Sequence, residues 1–271
     1  MAHKRKTRIG AVSYLNTKPL VYRLGEFAPD AEVVYDLPSR LADDLASGEL
    51  DVALIPSVEF FQDPSYTIIS DACIGCRGPV LSVKLLSRVP VDQIRTLALD
   101  EGSRTSVALV RILLQQRFGL RPELAPFPIG CAIEATETDA VLVIGDRAIH
   151  PPADRFVEQW DLGDQWCRWS ELPFVFAMWT ARGNTELDGI DTALRSARDA
   201  GLANLEQIAK DEARAVDLTY NECLSYLRDN LYFHLGPHEQ RGLEMFYQHA
   251  AEIGFAPDDL ELRFDDCQAT R

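Results

Sequence analysis

The chain reads as an α/β protein of two lobes with a ligand cleft between them, and three observations carry that expectation. Short apolar runs alternate with helix-like segments through the first half, the alternation restarts after Pro90, and the last third is helical. Strand, helix, strand, helix, strand is the pattern of a parallel sheet built by crossovers.

Arg8 to Tyr14 reads as a short buried strand ending in Leu15-Asn16-Thr17-Lys18-Pro19. Proline suits a helix start, because its missing N–H would be unpaired there anyway, so a helix is expected from Pro19 to Gly25. Ala31 to Leu37 is a second strand, followed by Pro38-Ser39 and a helix from Arg40 to Ser47 closed by Gly48. Asp51 to Ile55 is a third strand, ending at Pro56-Ser57. A long apolar run then extends from Gly78-Pro79 to Leu86. Beyond Pro90, Thr96 to Asp100 is a strand, and Glu101-Gly102-Ser103-Arg104-Thr105-Ser106 leads into a helix from Val107 to Phe118. Gly119-Leu120-Arg121-Pro122 stops that helix with glycine and proline in their usual order. Ala140 to Ile144 is a strand stopped by Gly145-Asp146, and Phe174 to Thr180 is a last strand-like run. Helices are expected through Ala193 to Ala213, Thr219 to Tyr232 and Glu239 to Ile253.

Two crossings between lobes follow, near Leu85 to Pro90 and near Phe176 to Ala181. Residues 1–87 with 181–271 form the first lobe, and residues 88–180 an inserted second one. Ligands in open α/β sheets sit beyond the carboxyl ends of strands, which places the ligand in the cleft of a hinged clamp.

Composition narrows the function classes. Of 271 residues 46% are hydrophobic and 25% charged, ordinary for a globular core. Acidic residues outnumber basic ones by 42 to 27, a net charge of −15 that repels a nucleic-acid backbone. Lys4-Arg5-Lys6 is the one basic cluster and reads as a solvated terminus, so no nucleic-acid partner is expected. No stretch approaches the roughly 18 apolar residues of a membrane helix. The run Ile9 to Val12 is too short for a signal peptide, so a cytoplasmic protein without a membrane partner is expected. Cys73-Ile74-Gly75-Cys76 has no second pair, and Cys131, Cys167, Cys223 and Cys267 are scattered. His3, His150, His234, His238 and His249 form no ligand pair, since Gly236-Pro237 breaks the helix that would align His234 with His238. No metal is expected.

The residues just beyond the strand ends are rich in hydroxyls and amides and poor in lysine and histidine. Gly102-Ser103-Arg104-Thr105-Ser106 reads as an anion site, because free N–H groups and hydroxyls at a helix start clasp a carboxylate. Ser103 or Thr105 serves equally as a plain helix cap, with Arg104 meeting a surface acid. Asn16 is suited to hold a substrate hydroxyl or to form an Asx turn before Pro19. Ser82 is either a site hydroxyl or a satisfied buried one, and Ser57 either a ligand contact or an N-cap. Gly145-Asp146 stands at a strand end, where the acid either caps or serves the site. Glu59 reads as a first-turn acid favoured by the helix dipole. Lys84 and His150 read as peripheral, and Trp166, Trp169, Phe174 and Phe176 as core. No GxSxG, P-loop or dinucleotide glycine fingerprint is present.

Several of these segments together resemble one family. Val12-Ser13-Tyr14-Leu15-Asn16-Thr17-Lys18-Pro19-Leu20 is similar to the opening motif of the MqnA family, the chorismate dehydratases of the futalosine route to menaquinone. Gly48 to Phe60 (GELDVALIPSVEF), Gly78-Pro79-Val80-Leu81-Ser82, Gly102 to Val107, Val143-Ile144-Gly145-Asp146 and Leu172 to Ala177 match in family order. The resemblance implies a type II periplasmic-binding-protein-like fold redeployed as a cytoplasmic enzyme. It implies loss of water from chorismate, a small dicarboxylate, to give 3-[(1-carboxyvinyl)oxy]benzoate without cofactor or metal. Asn16 and Ser82 match polar site positions of the family and are expected to hold the reacting region and the leaving hydroxyl. Ser103, Arg104, Thr105 and Ser106 are assigned to a carboxylate, with Ser57, Gly145 and Asp146 at other polar groups. Two alternatives stand beside it. One is an MqnD-like enzyme acting on cyclic dehypoxanthine futalosine, which should place a histidine in the site. The other is a non-enzymatic small-anion binding protein, which should carry an export signal.

Overall fold

The structure is a computed structural model that describes residues 5–183, 185, 189–260, 262 and 264. His3, Lys4 and Cys267 lie outside the described residues. Strand β1 (Thr7–Val12) leads into a 3-10 stretch at Leu15–Val21 and the short helix α1 (Leu24–Phe27). Strand β2 (Ala31–Asp36) is followed by α2 (Pro38–Ser47), then β3 (Val52–Pro56) and α3 (Ser57–Phe60). The long strand β4 (Tyr66–Cys76) precedes β5 (Val83–Ser87), β6 (Thr96–Asp100) and α4 (Arg104–Phe118). Next come β7 (Glu123–Phe127), β8 (Ala140–Ile144), β9 (Glu158–Asp161), α5 (Leu162–Ser170) and β10 (Phe174–Arg182). Helices α6 (Ile190–Leu202), α7 (Leu205–Glu212) and α8 (Tyr220–Ser225) follow, and α8 runs on into a π turn at Tyr226–Asn230. Strand β11 (Tyr232–His234) and helix α9 (Pro237–Glu252) complete the order.

The strands form two mixed sheets, β11-β4-β10-β3-β1-β2 and β7-β6-β8-β5-β9. The expected α/β architecture of two lobes is what the topology shows. In the first sheet β1 pairs in parallel with β2 and β3, and in the second β6 pairs in parallel with β7 and β8. Strand β10 lies antiparallel to β3 and β4. Central β3 is buried at every position, which is why it reads as an unbroken apolar run. Pro126 is accommodated in β7 because that strand is an edge.

The chain passes from the first sheet to the second between Cys76 and Val83, and returns between Ser170 and Phe174. The crossings anticipated at 85–90 and 176–181 fall largely on β5 and β10. By sheet membership, β5 therefore joins the inserted segment and β10 joins the first lobe. The apolar run at 78–86 is not one strand: it bends at Leu81, whose φ of +61° is left-handed. Strand β4 escaped the sequence reading because Ser70-Asp71 interrupts it. Asp71 is tolerated there because Arg198 of α6 pairs with it at 2.9 Å. The expected helix at 193–213 is two, α6 and α7, and the one at 219–232 gives way to the π turn and β11.

Of the aromatic group, Trp166 and Phe174 are core as expected and Trp169 packs against them, whereas Phe176 also lines the cavity between the sheets. Trp166 of α5 packs edge-on to Phe174 (5.1 Å between centroids) and to Phe246 of α9 (6.0 Å), and its indole N–H donates to Pro173 O. At the other end of the first lobe, α6 presses Gly201 onto the 3-10 stretch, so close that a Cβ there would stand 2.0 Å from Pro19 O. That contact fixes the backbone beside Asn16. Gly201→Ala is expected to cost about 1–3 kcal/mol by overpacking. At about 2–4 °C per kcal/mol for a chain near this size, thermal unfolding should show a clearly lowered Tm; an unchanged Tm would mean the 3-10 stretch yields freely.

Candidate functional site

A cavity opens between the two sheets at their strand ends. Val12, Tyr14 and Asn16 reach it from the end of β1, and Pro56 from the end of β3. Ile144 and Gly145 come from the end of β8, Val80 and Ser82 from the crossing segment, and Ser103 and Ser106 from the start of α4. Phe176 and Ala177 of β10 form part of the apolar wall. The polar groups facing it are hydroxyls, an amide and backbone; the lining residues include no Lys, Arg, His, Asp or Glu.

Helix α4 starts as a capped helix. Ser103 Oγ accepts the Ser106 N–H at 3.2 Å and donates to Ser106 Oγ at 2.7 Å. Ser103 thus caps the helix and also stands in the cavity lining. Ser82 is 1% exposed, with only a long 3.4 Å bond from Oγ to Val80 O. Asn16 Oδ1 accepts from Thr17 Oγ1 at 3.4 Å, and the residue is part of the cavity lining.

The ends of β1 and β8 meet directly. Gly145 has φ +73°, and a Cβ there would be 2.9 Å from the Tyr14 ring. Burial, then the charge of Asp100, pushes the Tyr14 phenol well above its ordinary pKa, so it is a protonated donor at neutral pH. Asp100 in turn accepts Gly102 N–H (2.9 Å) and Ile144 N–H (3.3 Å) and pairs with Arg147. Asp146 accepts the Leu15 N–H with both oxygens, at 3.2 and 3.3 Å, and burial pushes its carboxyl up to about 6.

The other expected site residues lie behind this surface. Ser57 donates to Val175 O at 2.7 Å and stands 3.3 Å from Thr105 Oγ1, which accepts the Val58 N–H. Neither lines the cavity; together they tie α3 to α4 across the lobes. Arg104 turns away, bonding Glu59 Oε2 at 2.9 Å and Asp43 at 2.8 and 2.9 Å, and lines a separate open cleft of about 1110 Å³ with Val107 and Phe255. Lys84 Nζ donates to Ile149 O and His150 faces Glu222 at 3.4 Å, both apart from the cavity. Among the described residues no three His, Cys, Asp or Glu side chains are grouped to hold a metal.

Three residues went unnoticed in the sequence. Asp161 accepts Val80 and Leu81 N–H at 2.9 and 2.6 Å, holding the crossing segment on which Ser82 sits. Asp100 organises the strand ends of the second lobe. Tyr226, fully buried in the π turn, lies beside Ser82 and Asn16. Asp161 and Asp100 do have local partners in Asp164 N–H and Gly102 N–H, but the contacts that bear on the cleft, to Val80, Leu81, Ile144, Ser82 and Asn16, are distant in sequence.

The Asp146 carboxyl gives a testable pH dependence. It holds its proton to about pH 6 in the native state, whereas an unfolded Asp releases it near ~3.9. The native chain therefore binds more protons through that window, and this group's contribution makes stability fall as pH rises from about 4 to 6. Asp146→Asn keeps an oxygen for Leu15 N–H and removes the titration. Thermal unfolding of the variant across that window should show a Tm that falls less with pH and lies higher at pH 7; the wild-type slope in the variant would contradict this.

Residues 7–252 match the family model described as menaquinone biosynthesis. A chorismate dehydratase of Thermus thermophilus is 32% identical over 269 residues, covering 92% of this chain and 96% of that protein. A chorismate dehydratase of Campylobacter jejuni is 24% identical over 253 residues, covering 91% and 99%. Among solved structures, a protein of Archaeoglobus fulgidus superposes with TM-score 0.71 at 16% identity, covering 93% of this chain and 99% of the other. The alkanesulfonate-binding protein SsuA of Xanthomonas axonopodis does so with TM-score 0.65 at 12% identity, covering 95% and 96%. These two likenesses speak to the fold, which is that of the periplasmic binding proteins. With the match spanning nearly the whole described chain, the protein belongs to the menaquinone-biosynthesis family.

Proposed function

We propose that this protein is a chorismate dehydratase, a hydro-lyase that removes water from chorismate to give 3-[(1-carboxyvinyl)oxy]benzoate in the futalosine route to menaquinone. The observation that carries the reading is the cavity between the lobes, walled by neutral hydrogen-bonding groups, in a chain whose relatives bear that name.

The chemistry suits such a site. Elimination breaks a ring C–H and a C–O bond, leaves no net change in oxidation level, and makes the ring aromatic. With so favourable a product, the protein's task is to orient the substrate, exclude water and stabilise developing charge. The N–H groups and hydroxyls at the start of α4, at Ser103 and Ser106, are suited to one carboxylate; a helix terminus contributes about 0.3–1 kcal/mol to a nearby charge, up to about 2 when partly buried. Asn16 from the end of β1 and Ser82 from the crossing segment are suited to the reacting region and the departing hydroxyl. The apolar wall of Phe176, Ala177 and Val12 accommodates the ring and keeps water out.

No histidine or carboxylate lines the cavity to take the ring proton. The substrate's own enolpyruvyl carboxylate takes the ring proton in this reading and passes that same proton on, through the site hydroxyls, to the departing hydroxide, which leaves as water. Asp146, behind the end of β1, bonds backbone rather than facing the cavity. The absence of a histidine in the lining also weighs against a reaction built on a histidine base.

Purified protein mixed with chorismate should yield a species lighter by one water with an aromatic ultraviolet spectrum, read by mass spectrometry beside a no-enzyme control. Chorismate recovered intact from a folded preparation would leave a binding protein as the better reading. Asn16→Ala and Ser82→Ala should each lower kcat by roughly 100-fold or more while KM changes little, the mark of interactions made in the transition state. The reverse pattern would reduce both residues to anchors.

A further inference from the structure

The buried polar group that this reaction scheme leaves without a task is the Tyr226 hydroxyl. Tyr226 opens the π turn Tyr226–Asn230, directly after α8. Such turns are rare inside helices and recur at functional sites. The side chain is 1% exposed, and its Oη makes no well-formed hydrogen bond to any group other than the side chains of Ser82 and Asn16 beside it. A buried hydroxyl depends on such partners, because leaving it unsatisfied is destabilising.

Its surroundings supply those partners. Ser82 and Asn16, the two cavity residues given the reacting region, are its side-chain neighbours. Burial raises the phenol's pKa well above its ordinary value, and Asp146 and Asp161 add to this. The group is therefore an O–H donor throughout the physiological range. Neither neighbour is firmly held elsewhere: Ser82 Oγ makes a long 3.4 Å bond to Val80 O, and Asn16 Oδ1 accepts a long 3.4 Å bond from Thr17. The far end of the π turn is tied to the same place, because Asn230 Nδ2 donates to Pro79 O at 2.9 Å in the crossing segment.

We infer that Tyr226 is a positioning residue, its hydroxyl giving its one proton to Ser82 Oγ and accepting from the Asn16 amide, and so fixing their orientation toward the substrate's leaving group. Tyr226 is not among the residues that line the cavity, so it acts through those two rather than on the substrate. The extra residue of the π turn places the ring there, and Asn230 anchors that turn to the segment it serves. The inference rests on the dehydratase reading of the same cavity.

The test is Tyr226→Phe, which keeps the ring and removes the hydroxyl, measured on the full chain with chorismate and with rates normalised to the folded fraction. Misplacing a reacting group slightly costs up to ~100-fold, so kcat is expected to fall by roughly 10- to 100-fold. KM should stay within about twofold, and the Tm should change little, since the ring and its packing are kept. Because Tyr226 acts through Ser82, Ser82→Ala with Tyr226→Phe should be little slower than Ser82→Ala alone. An unchanged kcat, fully additive losses, or a loss that tracks a lowered Tm would each overturn the inference while wild-type turnover stands. If the wild type leaves chorismate untouched, the dehydratase reading fails, and the role for Tyr226 fails with it.

Discussion

The Tyr14 ring pressed on Gly145 is the contact on which the cleft depends. It joins the carboxyl end of β1 to that of β8, so the two sheets meet through an aromatic face and a residue with no side chain. Two constraints select glycine at 145: its φ of +73°, and the 2.9 Å that a Cβ would leave to the ring. The same close approach brings the Asp146 carboxyl within reach of Leu15 N–H. Asn16 from the first sheet and Ser103 and Ser106 from the second can then face one small cavity rather than two separate surfaces.

The other fixed point is the crossing segment. Asp161 accepts Val80 and Leu81 N–H and also caps α5 through Asp164 N–H at 3.1 Å. Leu81 is held left-handed, which disfavours a non-glycine residue by roughly 1–2 kcal/mol. Charge-assisted bonds from adjacent N–H groups to one carboxylate offset such strain. Ser82 thus owes its place to a carboxylate at the end of an edge strand of the second lobe. Burial raises the Asp161 pKa, and the three N–H donors hold it down.

Much of this was legible in the sequence, for reasons that particular elements show. The runs at 96–100 and 140–144 coincide with β6 and β8 because apolar segments closed by turn residues leave little alternative. Asn16, Ser103, Ser106 and Gly145 are singled out because ligands gather at strand ends, and Ser82 through the family resemblance; the structure brings all five to one cavity. Ser57, Thr105 and Arg104 share that address, yet they face a neighbouring helix or surface acids; strand-end position does not say which way a side chain turns. Strand β4 was hidden because Asp71 reads as a break until Arg198 arrives from α6. Tyr226 was hidden because a π turn keeps the apolar spacing of a helix while shifting one side chain out of register.

The electrostatics of the cleft bear on the reaction proposed for it. The chain carries −15 overall, and the cations nearest the cleft are each engaged: Arg147 with Asp100, Arg104 with Glu59 and Asp43, Lys18 with Glu212 at 3.0 Å. What faces the cavity is a set of fixed O–H and N–H dipoles. A lysine or arginine there would bind a dicarboxylate more tightly, but it would also lower the carboxylate's pKa. In the proposed reaction that carboxylate is the base, and a depressed pKa weakens it for taking a ring proton. Neutral donors orient the substrate and leave its basicity largely intact, while dipoles already held in place need little reorganisation as charge moves toward the leaving oxygen. A cleft poor in cations inside an acidic protein is therefore what substrate-assisted elimination asks for.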